Sequence, residues 1–563
     1  MHDLVIANAR LCDGLGSAIV SGSLAVRDGR ISAIFVEEGD DVGSGQEVVD
    51  AGGMVLAPGI VDTHTHYDAQ ITWDPLLDPS PALGVTTVVM GNCGFTIAPC
   101  RPADRELTMR NLVRVEGMSL DAMQEGIRWE FESFPEYMDM IAEKGVVPNV
   151  AAFVGHSSVR TYVLGDDAPR RAASADEVRK MCAIVREAMD AGAIGFATST
   201  SPSHNGASGD PMPSRLADEG ELRALVGVLG ESGAGIFMLT KGGGTSIPFL
   251  ESLAAETSRP VMVAALLHNS TNPDGVFEEL DRIHEARGRG HAVYGQVSCC
   301  PLTMEFTLQA PYPFEGIGAW SPALTASPDA LAGVLADGAF RDAVERDLGE
   351  PASVRLFNGE WDKLRVLETV RCENRRFEGR SVAEIAAEEG RRPLDWMLDL
   401  ALEEDLRTTF VAVLLNSDDG AVARVLTHPA SAIALSDAGA HLSFFCDAGF
   451  GLHLLGYWVR GRQAMSLEEG VRRLTSEPAD IYGIHDRGRL AVGAHADLLL
   501  FDPDRVDRGP SERVFDLPAG APRLTTGAVG VHGVWVNGTR VVDETGMCVA
   551  DARPGQLLRN FAN

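Results

Sequence analysis

The sequence predicts an α/β fold: a parallel barrel of eight βα units carrying a small β-sandwich assembled from both chain termini. Three observations lead there. Apolar strand-like runs alternate with helical stretches through the middle of the chain, the pattern of βα units around a parallel sheet. Both ends read instead as short strands and tight turns. A chain of 563 residues is too long for one minimal core and long enough for a large barrel plus an appended domain.

At the N-terminus, LVIANARLCDG, GSLAVRDGRISAIF and EVVDAGGMVLAP alternate apolar residues between Asn, Asp and Gly, which is the hairpin signature. RLAVGAHADLLLFD and VHGVWVNGTRVVD repeat that style near the C-terminus. The sandwich is therefore expected from residues 1–58 and 480–563, with the barrel over 59–479. Its strand tips are GIVDTHTH (59–66), TTVVMGNCG (86–94), NVAAFVGH (149–156) and AIGFATSTS (193–201). GIFMLTKG (235–242), VMVAALLH (261–268), HAVYGQVSCC (291–300) and SAIALSDAGAH (431–441) complete the set. Stretches such as ADEVRKMCAIVREAMDAG and DEGELRALVGVLGESG read as the helices between them. This is a TIM-type (β/α)8 barrel, whose active site sits at the C-terminal ends of the strands. A doubly wound sheet competes, but no Gly-rich phosphate fingerprint follows the first strand.

Two insertions break the rhythm, at about 101–146 and 302–430. The second is far longer than an ordinary loop. Insertions on the active face form lids or substrate walls, and both are expected to carry specificity; oligomer contacts or plain packing are the alternative.

Hydrophobic residues make up 45% and charged residues 23%, as in an ordinary soluble enzyme. No run approaches the ~20 apolar residues of a membrane span, and MHDLVIANARLCDG lacks the basic and apolar regions of a leader. A cytoplasmic protein is expected. The net charge of −32 argues against nucleic acid or an anionic membrane as partner. The nine cysteines are scattered without a CxxC pair, so no disulfide framework or cysteine-only zinc site is expected.

Metal-competent side chains sit on the strand tips. His64 and His66 flank Thr65, so in an extended strand both imidazoles point to one side, a donor pair that suits Zn²⁺. Cys93 follows the second strand between Gly91 and Gly94, which allow close backbone approach. It reads either as a small buried hydrophobe or as a thiolate held between cations. His268 ends the sixth run and Asp437 the eighth. His156, in VGHSSVR, is a candidate to bind substrate or polarise its carbonyl, or else a core histidine.

This constellation resembles the amidohydrolase superfamily and, within it, the N-acyl-D-amino-acid deacylase (D-aminoacylase) group. The resemblance runs through APGIVDTHTHYD, GVTTVVMGNCGFTIAP, FVGHSSVR, GAIGFATSTS, SDAGAH and LTSEPADIYGIHDRGRLAVGAHADLLLFD. It implies a hydrolase acting on carbon–nitrogen bonds other than peptide bonds, using one or two Zn²⁺ ions. It places His64, His66, Cys93, His268 and Asp437 at the metal, with Cys93 as the bridging thiolate and Asp437 as general acid/base; Lys241, at the aligned fifth strand tip, is the further candidate ligand. The expected substrate is a small-molecule amide, an N-acyl-D-amino acid or a related N-acyl compound. A neutral or cyclic amide or carbamate, as in hydantoinases, is the alternative, and a non-catalytic ligand-binding barrel is a third reading. A homo-oligomer accords with the family, although no residue here requires one.

The sequence also departs from the group. Where the group has a histidine at the fifth strand tip, this chain has LTKGGG, with Lys241 or Thr240 in its place. The histidine and lysine expected after the sixth-strand histidine are absent from LLHNSTNP, and the substrate-gripping arginine is absent after Asp437. Three readings of Lys241 stand open. A carboxylated Lys241 would be an anionic metal ligand. A free Lys241 would replace the second metal near the substrate, or pair with Asp437 or another acid. The glycines behind it would make room for metal and substrate.

Overall fold

The computed structural model describes residues 1–36, 44–206, 209–350, 355–442, 445–547 and 552–561. They form two compact units. The first comprises Met1–Leu266, Glu278–Cys299 and Val425–Asn563.

Its centre is an eight-stranded parallel sheet. In chain order the strands are Ile60–Thr65, Val85–Met90, Asn149–Gly155, Gly195–Ser199, Ile236–Thr240, Val261–Ala264, Val293–Val297 and Ser431–Ile433. Each pairs with its sequence neighbours. All eight coincide with runs read from the sequence, because parallel strands buried on both faces are continuously apolar. The first four are buried at every position. The sheet is joined edge to edge at its C-terminal end. Thr65 bridges Ala438 in parallel, His66 N–H donates to Ala438 O at 2.7 Å, and Asp437 N–H donates to His64 O at 3.2 Å. That seam closes the TIM-type barrel and carries the eighth-strand loop onto the first-strand histidines.

The surrounding helices start where their caps dictate. Ser174 and Ser133 form capping boxes with Glu177 and Glu136, opening Ala175–Asp190 and Phe134–Lys144. The first insertion is helical, with Arg105–Glu116 and Leu120–Gly126 preceding Phe134–Lys144.

Strands from both chain ends meet in one nine-stranded sheet, the β-rich terminal domain. Val55–Pro58 pairs antiparallel with Leu498–Phe501, setting Leu56 opposite Leu500. Leu4, Ile6, Leu24, Leu498 and Trp535 share its core. A buried polar node ties the C-terminal segment to the start of the third barrel strand: Asp497 accepts from Asn149 at 3.2 Å and from the Asn537 N–H at 2.8 Å, and is ion-paired with Arg487. Cys548, within the expected sandwich segment, lies outside the described residues.

The second unit comprises Leu267–Phe277 and Cys300–Arg424, most of the second insertion. Leu302–Phe306, Leu364–Glu368 and Thr409–Leu415 form an antiparallel sheet with the last strand in the middle. Phe314 stacks on Trp320 at 4.6 Å and meets Phe357 edge-on at 5.1 Å, giving the unit an aromatic core of its own. A segment with its own core is a small domain rather than a loop.

Candidate metal centre

His64 and His66 stand on and just beyond the end of the first barrel strand. The residue between them faces the other way, its hydroxyl donating to Val89 O at 2.9 Å. The imidazoles therefore share a side, their ring centroids 5.3 Å apart. Cys93 follows the second strand in a tight turn with φ of 58°, a conformation rarely adopted outside glycine. A side chain at Gly94 would fall 2.4 Å from Ala197 O, so the turn lies directly against the fourth strand. The donor atoms of His64, His66 and Cys93 all lie within 4.8 Å of one another, and all three residues are buried.

Asp437 completes the arrangement from the eighth-strand loop, also at positive φ (47°). Its Oδ1 lies 3.2 Å from His64 Nε2 and 3.4 Å from His66 Nε2. Burial pushes its carboxyl up, but His64 and His66 outweigh that and hold it well below the usual carboxylate range. Burial likewise opposes the Cys93 thiolate, yet the two histidines bring the thiol down to about 6. Two imidazoles, a carboxylate and an easily ionised thiol form the donor chemistry of a borderline divalent ion.

The outer ring nitrogens are held from behind. His64 Nδ1 lies 2.6 Å from Gln296 Oε1, and His66 Nδ1 lies 3.2 Å from Glu116 Oε1. Gln296 fixes the His64 ring and directs its Nε2 inward, as behind metal-ligating histidines generally, whereas Glu116 meets His66 as an ion-pair contact. Glu116 is buried, and burial pushes its carboxyl up to about 8 against the opposing pull of His66. Neither residue was singled out from sequence. Gln296 is the penultimate residue of the seventh strand and carries no motif, and Glu116 closes a helix in the first insertion.

Lys241 and His156 are engaged by other partners. Lys241 does not join the donors. Thr240 turns its hydroxyl to Cys93 Sγ, 3.0 Å away, while the Lys241 ammonium pairs with Glu279 at 2.6 Å. Successive side chains of an extended chain alternate in direction, so the tip of the fifth strand offers threonine inward and sends the lysine to the helix layer. Of the glycines behind it, Gly242 serves packing: a Cβ there would stand 2.0 Å from Thr200 O.

His156 is engaged within the protein as well. It is fully buried, with Nδ1 at 2.7 Å from Thr198 Oγ1 and Nε2 at 2.9 Å from Glu221 Oε1. Both ring nitrogens are thus engaged by protein partners, the arrangement of the core-histidine reading. Arg160 shares the same glutamate, making a buried structural triad. The sixth strand closes at Ala264, so His268 stands beyond it, in the second unit. There its N–H donates to Asn416 Oδ1 at 2.8 Å and its carbonyl accepts from Asn416 N–H at 2.9 Å.

A further histidine escaped the sequence reading. His204, in the loop after the fourth strand, sets Nδ1 2.6 Å from Ser199 Oγ and packs edge-on against Phe95 at 5.0 Å. Burial, together with the like-signed His441, His66 and Arg215, brings its imidazole down to about 3.

Comparison with known proteins gives a concordant result. The Amidohydrolase family matches residues 47–300 and 343–542. N-acyl-D-aspartate deacylase of Alcaligenes xylosoxydans xylosoxydans is 29% identical over 99% of this chain and 95% of its own length. D-aminoacylase of the same organism is 28% identical over 96% of this chain and 95% of its own. Among solved structures, N-acyl-D-glutamate deacylase from Bordetella bronchiseptica, complexed with zinc and a phosphonate mimic of the tetrahedral intermediate, superposes with a TM-score of 0.67 at 26% identity, covering 99% of this chain and 100% of that one.

Proposed function

The chain belongs to the amidohydrolase family, as a hydrolase of carbon–nitrogen bonds other than peptide bonds, and from that premise we propose that it hydrolyses N-acyl-D-amino acids at the His64–His66–Cys93–Asp437 cluster. The observation that carries this reading is the convergence of both histidine Nε2 atoms on one Asp437 oxygen, at 3.2 and 3.4 Å, with the Cys93 thiol beside them.

His64, His66, Cys93 and Asp437 would hold the ion. A divalent metal there supplies Lewis acidity, polarising the scissile carbonyl and lowering the pKa of water. Asp437 is the group placed to accept the proton from the attacking water and to return it to the leaving nitrogen. Its low proton affinity keeps it ionised before the reaction, free to receive that proton, and its partial exposure (20%) leaves one side open to substrate. Gln296 and Glu116 keep the imidazoles oriented, so the cluster does not reorganise as charge develops.

The substrate class follows the N-acyl-D-amino-acid deacylases to which the chain is similar over nearly its whole length. The test is a panel of N-acetyl-D- and L-amino acids, neutral anilides and hydantoins offered to metal-loaded enzyme. Preference for the N-acetyl-D-amino acids supports the assignment. Turnover confined to anilides or hydantoins would replace it with a neutral-amide hydrolase.

A further inference from the structure

The departures from the deacylase pattern leave a specific gap: the arginine expected after Asp437 to grip a substrate carboxylate is absent from HLSFFCDAGFGLHLL. Ser443 and Phe444 of that stretch lie outside the described residues. An anionic substrate approaching a chain of net charge −32 needs a local cation to bind. The loop that follows the fourth barrel strand supplies one.

That strand ends at Ser199, on the C-terminal face of the barrel. The chain then leaves through His204 and returns in a short turn, Pro213–Leu216, before the helix Glu219–Ser232. Ser214 pins the returning turn to the strand end, donating to Ser199 O at 2.8 Å. Its neighbour Arg215 is thereby fixed beside the C-terminal end of that strand. One guanidinium nitrogen, Nη1, donates to His204 O at 3.0 Å and to Asn205 Oδ1 at 2.5 Å. Among the described residues Arg215 has no carboxylate within ion-pair distance, although most arginines of this acidic chain do. It is partly buried, and burial alone lowers its proton affinity. A half-buried guanidinium without a counter-ion is costly unless an anion arrives. Beside it, His204 has its Nδ1 occupied by Ser199, and no protein partner is recorded for Nε2 among the described residues.

We propose that Arg215 and His204 form the carboxylate subsite of this enzyme, gripping the free carboxylate of the N-acyl amino acid from the fourth-strand loop. The inference rests on the acyl-amino-acid reading above. Nη2 and Nε of Arg215 present the planar fork that matches a carboxylate. His204, near enough to both Asp437 and Arg215 to feel their charges, adds a neutral hydrogen bond from Nε2. Specificity for an anionic substrate thus comes from the fourth-strand loop rather than from the eighth-strand loop where the sequence resemblance led it to be expected.

The experiment compares, for wild type, Arg215→Gln and Arg215→Lys, the cleavage of the preferred N-acyl amino acid and of its carboxamide, which lacks the charge. For Arg215→Gln the acid's KM is expected to rise roughly 10- to 100-fold with the carboxamide unchanged, the scale of one charge-assisted hydrogen bond lost. Arg215→Lys should recover part of the discrimination. Arg215 also braces its own loop, but a loosened loop would impair acid and carboxamide alike, leaving their ratio fixed. An unchanged ratio in Arg215→Gln overturns the subsite while the substrate assignment stands. Wild-type enzyme that cleaves the carboxamide and not the acid overturns both.

Discussion

The ammonium of Lys241 lies 2.6 Å from the carboxylate of Glu279, while the preceding residue, Thr240, faces Cys93. The position where the deacylase group is expected to carry a metal-binding histidine therefore presents only a hydroxyl to the cluster. The lysine that draws the eye in the sequence is paired with Glu279 instead, and we propose that it is a structural cation.

Lys241→Met should leave the metal content of the purified protein unchanged and should not make activity dependent on bicarbonate. Its cost to stability should stay near 1 kcal/mol, the scale of a partly exposed ion pair. Elemental analysis and thermal unfolding measure both. Loss of one metal equivalent in Lys241→Met would restore the lysine to the site.

His156→Ala tests the opposite assignment. Removing the imidazole takes one partner from buried Glu221 and leaves a void beneath the fourth strand. The expected loss is about 3 kcal/mol in denaturant unfolding, with KM of the folded fraction little changed. A variant of wild-type stability with a selectively raised KM would mark His156 as a substrate ligand.

Asp437→Asn removes the proposed base while keeping its shape. Turnover should fall by about 10²- to 10⁴-fold, with the circular dichroism spectrum unaltered. Activity within a few-fold of wild type would remove Asp437 from the chemistry.

Glu116→Gln keeps a polar atom near His66 Nδ1 but removes its charge. Metal affinity, read by competition with a chromogenic chelator, should drop about 10- to 100-fold, the usual effect of losing a carboxylate behind a ligating imidazole. An unchanged affinity would mean that the Glu116 carboxylate, 3.2 Å from the ring, is incidental to the metal.

Much of this was legible in the sequence for a plain physical reason. Buried parallel strands are continuous apolar runs, so all eight barrel strands announce themselves, and HTH on an extended backbone sets two imidazoles on one side. Direction at a strand's end was not legible. Whether Thr240 or Lys241 faces inward depends on a single residue of phase, and LTKGGG carries no periodicity to fix it. The partners of His156 were equally hidden, since Thr198 and Glu221 are 42 and 65 residues away in the chain. Glu116 and His204 come from loops and insertions, where no alternation marks which side chain turns to the centre.

The most direct measurement is amino-acid release from an N-acyl-D-amino acid by enzyme as purified, after chelation, and after zinc is returned. The His64–His66–Cys93–Asp437 assignment predicts turnover that is lost on chelation and regained with the metal. Turnover indifferent to chelation would contradict it.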